Sequence, residues 1–145
     1  MELILEKRIY QRIMALKISA YNGSSGRREW EEFVNAHPDG SIFQMPRMYD
    51  AWQYCRNQQV VVLFAYDEGR MAGVVMAVLV RNGIFPFSRL ASRQIVTGGP
   101  LVANNDMGIM LALLEELIRQ TRKRAVFTDI HNLRMGLSLK PVFEE

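Results

Sequence analysis

The chain has 145 residues, 49% hydrophobic and 23% charged, with 10 glycines and 5 prolines. These proportions exclude collagen-like, low-complexity and disordered chains, and the length suits one domain whose core needs neither disulfides nor a structural metal. Eighteen Lys and Arg against fifteen Asp and Glu leave +3, too little to mark a nucleic-acid binder, and the lone Cys55 excludes a disulfide framework or a cysteine-based zinc site.

The first thirteen residues set Leu3, Leu5, Ile9 and Ile13 among charges in no clean period, so residues 1–13 are expected to be a poorly packed N-terminal extension, with the domain proper over 14–145. A second methionine, Met14, opens a predicted strand through Tyr21, and Asn22-Gly23-Ser24-Ser25-Gly26 breaks it. Trp30, Phe33, Val34 and His37 follow the i, i+3, i+4, i+7 spacing, which predicts an amphipathic helix over Arg27–Ala36, stopped at Pro38-Asp39-Gly40. An extended piece, Ser41 to Gln44, should lead into a second helix at Pro46 with Met48, Trp52 and Cys55 on its buried stripe, making both tryptophans core candidates. From Gln59 the period changes. Val60 to Tyr66 and Met71 to Val80 read as two antiparallel strands joined at Asp67-Glu68-Gly69-Arg70, and Arg81-Asn82-Gly83 turns into a third piece, Ile84 to Phe87, which Pro86 demotes to an edge.

A strand over about Arg93 to Thr97 runs into Gly98-Gly99-Pro100. Asn104-Asn105-Asp106 then supplies N-cap chemistry for a long helix with Met107, Met110, Leu111, Leu114, Leu117 and Ile118 as its expected buried face. Ala125 to Ile130 returns as a strand. The strand–helix–strand crossover should be right-handed and should set this strand parallel to the one ending at Thr97. The predicted order is β-α-α-β-β-β-β-α-β: an α/β chain (α+β mixed sheet) built from an antiparallel meander plus one parallel crossover. The longest uncharged apolar run, Met71 to Val80, is half of what a bilayer-spanning helix requires. No signal-peptide pattern opens the chain, so no integral membrane segment and a cytoplasmic location are expected.

Motifs for nucleophilic catalysis are sparse. Cys55 is expected to be an inert core thiol, and His37 and His131 lack the spacing of metal ligands, so neither metal nor bound cofactor is expected. No Gly-x-Ser-x-Gly elbow, Walker loop or dinucleotide fingerprint occurs. The informative feature is Gly98-Gly99-Pro100, because two glycines at a strand exit free the backbone for unusual dihedrals and close approach of a ligand. The crevice beyond the carboxyl ends of parallel strands is where open α/β sheets bind ligands, and Asp129, His131 and Asn132 emerge at the equivalent end of the neighbouring strand.

Trp30-Glu31-Glu32-Phe33-Val34, Pro38-Asp39-Gly40-Ser41-Ile42-Phe43-Gln44, the meander with Gly73-Val74-Val75, Gly98-Gly99-Pro100-Leu101-Val102 and Phe127-Thr128-Asp129-Ile130-His131-Asn132-Leu133 together resemble the first half of Fem-type (FemAB-like) peptidoglycan bridge-forming aminoacyl transferases of the GNAT superfamily. The resemblance implies a partial, incomplete GNAT-like N-acyltransferase fold. It also implies transfer of an aminoacyl group, usually from aminoacyl-tRNA, to an amine of a cell-wall precursor. The substrate-binding residues it suggests are Ser41, Gln44, Gly98, Gly99, Asp129, His131 and Asn132, with no catalytic side chain assigned; Arg122, Lys123 and Arg124 complement the dipole at the end of the long helix, and the alternative is that they steer a tRNA or an anionic nucleotide-sugar lipid. The Arg/Gln-x-x-Gly-x-Gly/Ala loop of acetyl-CoA users is missing. A half of this kind is expected to pair as a homodimer or with a second GNAT-like half; the alternative is a non-catalytic interaction or precursor-binding module.

Overall fold

The computed structural model describes residues 2–81 and 92–131. In chain order they form α1 (Glu2–Ala15), β1 (Lys17–Ala20), α2 (Arg27–Ala36), a 3-10 turn (Ile42–Gln44), α3 (Pro46–Gln53), β2 (Gln58–Asp67), β3 (Arg70–Arg81), β4 (Ser92–Thr97), β5 (Leu101–Val102), a second 3-10 turn (Ala103–Asn105), α4 (Met107–Thr121) and β6 (Phe127–His131). The predicted mixed α/β architecture is observed. The expected third hairpin piece at Ile84 to Phe87 lies outside the described residues, as does Asn132.

One six-stranded sheet runs in the order β1-β2-β3-β4-β6, with β5 pairing β3. All pairings are antiparallel except β4 with β6, which are parallel as the crossover requires. β2 and β3 meet at Glu68-Gly69, both with positive φ (49° and 78°), the backbone a tight two-residue hairpin needs. β3 is buried without interruption from Met71 to Leu79, because helices cover both faces of the sheet. One core joins Leu63, Val75, Ala77, Leu79 and Val96 to Ile109, Met110, Leu113 and Leu117 of α4. The other joins Val62, Phe64, Val74 and Met76 to Trp30 and Val34 of α2.

Several local expectations are corrected. Residues 2–15, expected as an arm, are helical, since this stretch holds no Gly or Pro and is rich in Leu, Glu, Lys, Arg, Met and Ala; Leu3, Leu5 and Tyr10 remain exposed on it. Ser41 to Gln44 is a 3-10 turn, closed by a reciprocal capping box between Ser41 and Gln44. α3 stops at Gln53 and the chain turns through Asn57 at φ 62°, so Cys55 is exposed and Trp52 only half-buried, while Trp30 is fully buried. On α4 the buried residues are Ile109, Met110, Leu113, Leu117 and Thr121, and Leu111 and Ile118 face solvent. The helix is turned this way because Gly73 on β3 leaves room for Ile109 and Leu113: a Cβ there would come within 3.1 Å of Ile109 Cγ2 and 2.9 Å of Leu113 Cδ1.

Candidate functional site

The register of β3 locates the site. Val78 stands opposite Ile95 and Val74 opposite Leu101, so four steps along β3 correspond to six along its neighbour. The two surplus residues fall in the link between β4 and β5, where Gly98 and Gly99 have φ of +85° and +71°, a left-handed bulge that a side chain would resist. β6 accompanies β4 in parallel register as far as Thr97 opposite His131, and the Gly98 N–H donates to the His131 carbonyl at 2.7 Å. Past that bond the chain bulges through Gly98 and Gly99 and returns to the same strand, β3, as β5.

The bulge is held from the other side of the sheet's end. Gln44 is 1% exposed, and its Nε2 donates to the Gly98 carbonyl at 2.7 Å. Its Oε1 accepts from the Ser41 N–H at 2.8 Å and the Ser41 hydroxyl at 2.5 Å. The Gln44 carbonyl in turn accepts from the Trp30 indole N–H at 2.7 Å. Trp30 sits edge-on to Tyr21, Tyr49 and Phe64, so an aromatic core fixes Gln44 and Gln44 fixes Gly98. α2 and α3 are themselves tied by Arg27 to Asp50, a bidentate pair whose hydrogen bond holds the Asp50 carboxyl below its usual range. Burial, and after it the Glu29 charge, push the Tyr66 phenol upward in the same layer.

Ser41, Gln44, Gly98 and His131 are thus joined by direct hydrogen bonds, with Gly99 buried beside them. Asp129 lies two residues before His131 on β6, and its Oδ2 is 2.9 Å from His131 Nε2; both side chains are about half-exposed. The Trp30 link was hidden in the sequence, where this residue carried only a core signal. His37 was legible as the end of the first amphipathic helix, yet not as a strut: its Nε2 lies 2.8 Å from the Val102 carbonyl and its Nδ1 accepts from the Asp39 N–H at 3.0 Å. These partners assign the neutral ring with the proton on Nε2. Beside it a cavity of about 330 Å³ opens between Phe33, His37, Asp39, Asn104 and Asn105. At the start of α4 the N-cap Asp106 accepts from the Gly108 and Ile109 N–H groups at 3.0 and 3.3 Å. Among the described residues no cluster of three His, Cys, Asp or Glu is placed to hold a metal ion, and no helix is long and apolar enough to cross a membrane.

No protein-family model matches the sequence, and no curated protein matches it either. Solved structures do. A ribosomal-protein-alanine N-acetyltransferase from Brucella melitensis biovar Abortus 2308 is similar over 90% of this chain and 89% of that one, with 16% identity and a TM-score of 0.62. A predicted acetyltransferase from Clostridium acetobutylicum, solved with acetyl-CoA, is similar over 89% of this chain and 86% of that one, with 9% identity and a TM-score of 0.57. The chain has the GNAT N-acyltransferase fold. FemX shares it over 74% of this chain and 25% of its own, with 16% identity and a TM-score of 0.58. Aminoglycoside acetyltransferases are further GNAT neighbours, one in complex with CoA. At these identities the likeness carries the fold, and the chemistry has to be argued from the site.

Proposed function

We propose that the chain is an acyl-transfer domain of Fem type, acting on an amine of a peptidoglycan precursor in the crevice beyond the carboxyl ends of β4 and β6. The observation that carries this reading is the left-handed bulge at Gly98, whose N–H bonds to the carbonyl of His131, the residue whose imidazole is linked to a carboxylate. Acyl transfer to an amine forms a C–N bond, breaks the bond to the leaving group and requires the attacking nitrogen to shed a proton. His131, oriented by Asp129, is the group placed to take that proton, and the crevice orients the partners. Ser41, Gln44 and Gly98 act here as positioning residues, since their polar groups bond to one another. Gly99 allows close backbone approach.

The fold family implies acetyl-CoA, but the start of α4 does not fit a diphosphate: two N–H groups at its first turn are already satisfied by a carboxylate, Asp106, whose charge repels phosphate. An aminoacyl ester, as on aminoacyl-tRNA, makes no such demand. Within this reading β6, an end of the sheet path among the described residues, is the edge that meets a second copy or a second GNAT-like half.

The test is a transfer assay with a nucleotide-linked muropeptide as acceptor, offering aminoacyl-tRNA and acetyl-CoA separately. Aminoacyl transfer is expected, reduced at least a hundredfold, on the order of a lost general base, in His131→Ala. Efficient acetyl transfer would replace the donor assignment. Absence of any transfer, with precursor binding unchanged in His131→Ala and Asp129→Asn, would leave the second reading, a precursor-binding module without chemistry.

A further inference from the structure

The end of the sheet opposite the glycines is built of different material. There β2 begins, β3 ends, and β4 and β6 begin: the Arg81 N–H donates to the Asn57 carbonyl at 3.2 Å, Arg81 stands opposite Ser92, and the Val126 N–H donates to the Ser92 carbonyl at 3.0 Å. α4 also ends there, the Arg124 and Ala125 N–H groups both returning to the Thr121 carbonyl. This row brings Arg56, Arg81, Arg93, Arg122, Lys123 and Arg124 to one rim. No Asp or Glu occurs in the segments that form it, residues 54–60, 79–81, 92–97 and 117–128. Arg56, Arg81, Arg93, Arg122 and Lys123 are exposed and form no ion pair among the described residues; Arg124 donates to the Gln120 carbonyl at 3.0 Å, which does not neutralise it.

Large apolar side chains stand out among these cations. Tyr54 is 89% exposed, Val126 61%, Phe127 55% and Ile118 54%. Phe127 is the register partner of Arg93. A nucleic acid would complement the charge, and the rings of Tyr54 and Phe127 could stack on bases, but Val126 and Ile118 offer no ring. Aliphatic and aromatic groups interleaved with arginines match a different polyanion, the interface of an anionic bilayer, where cations meet headgroups and apolar tips enter the acyl boundary.

We propose that this rim is a peripheral docking surface for anionic membrane lipid. The occupant is argued from charge complementarity together with the exposed apolar tips, independently of any transferase activity. Docked this way, the chain would hold Gly98 about 17 Å above Arg93, five strand residues from the lipid.

Co-sedimentation of the full chain with phosphatidylcholine vesicles, with and without phosphatidylglycerol, tests it. Binding is expected only to the anionic vesicles, and it should weaken at high salt. The triple variant Arg81→Gln, Arg93→Gln, Arg122→Gln should bind on the order of a hundredfold more weakly, about fivefold per cation. The milder pair Arg122→Gln and Lys123→Gln, on an exposed turn, keeps the test valid if the triple variant misfolds. Phe127→Ser should weaken anionic binding without altering the circular dichroism spectrum. Equal binding to neutral vesicles, unchanged binding by folded charge variants, or binding to a single-stranded oligouridine at concentrations where anionic vesicles are ignored would each overturn the proposal.

Discussion

Gly98 answers to two constraints at once. Its φ of +85° disfavours any side chain, and an added Cβ would lie 2.3 Å from Gln44 Nε2. Gly98→Ala should therefore destabilise the fold by about 1–3 kcal/mol, read from urea unfolding. Gln44→Ala removes the colliding amide but strands the Gly98 carbonyl and the Ser41 N–H, costing about 1–3 kcal/mol alone. The double variant should cost clearly less than the two singles combined, because one removes the clash created by the other; simple additivity would show that the two residues do not support each other. Ser41, Gln44, Gly98 and His131 could all be picked from the sequence as polar or flexible residues at element ends. What no spacing revealed is that they satisfy one another, since Gln44 is brought to Gly98 across 54 residues of chain.

At the level of elements α4 shows what patterning conveys and what it leaves open. Its start was legible, because an Asp before an apolar run is N-cap chemistry, and Asp106 fills that role. Its buried face was not. Met110 and Leu117 of the expected stripe are buried and Leu114 packs on the core, but the hollow at Gly73 on another strand brings Ile109 and Leu113 inward as well, while Leu111 and Ile118 face solvent. Near its far end Glu116 accepts from Arg119 at 2.6 and 2.7 Å and from Gln120 at 2.8 Å. The Arg119 hydrogen bonds, and then that of Gln120, hold the Glu116 carboxyl down to about 2 from 4.5. A carboxyl with a depressed folded pKa contributes stability that is complete above its unfolded value and is lost as pH falls towards the folded one. The melting temperature of the native chain should thus exceed that of Glu116→Gln near neutral pH, with the gap closing between about 4.5 and about 2. Arg119 is 66% exposed, so water screens the pair and the gap is small. A gap independent of pH would show that the side chain acts through packing.

For the whole molecule, the sheet was readable as an alternation of periods, and the parallel pairing of β4 with β6 followed from the intervening helix. The helical character of residues 2–15 was not readable, because their apolar residues follow no clean stripe. β5 escaped notice because two residues are too short for a pattern. Light scattering on the purified chain is expected to report a dimer; a stable monomer would remove the β6 edge as a joining surface. The surplus of two residues between Ile95 and Leu101 has one more implication. Excising Gly98 and Gly99 would restore equal spacing and fuse β4 with β5 into a seamless ladder along β3. A tidier, sturdier sheet would be obtained at the loss of the left-handed backbone beside His131 on which the proposed chemistry depends.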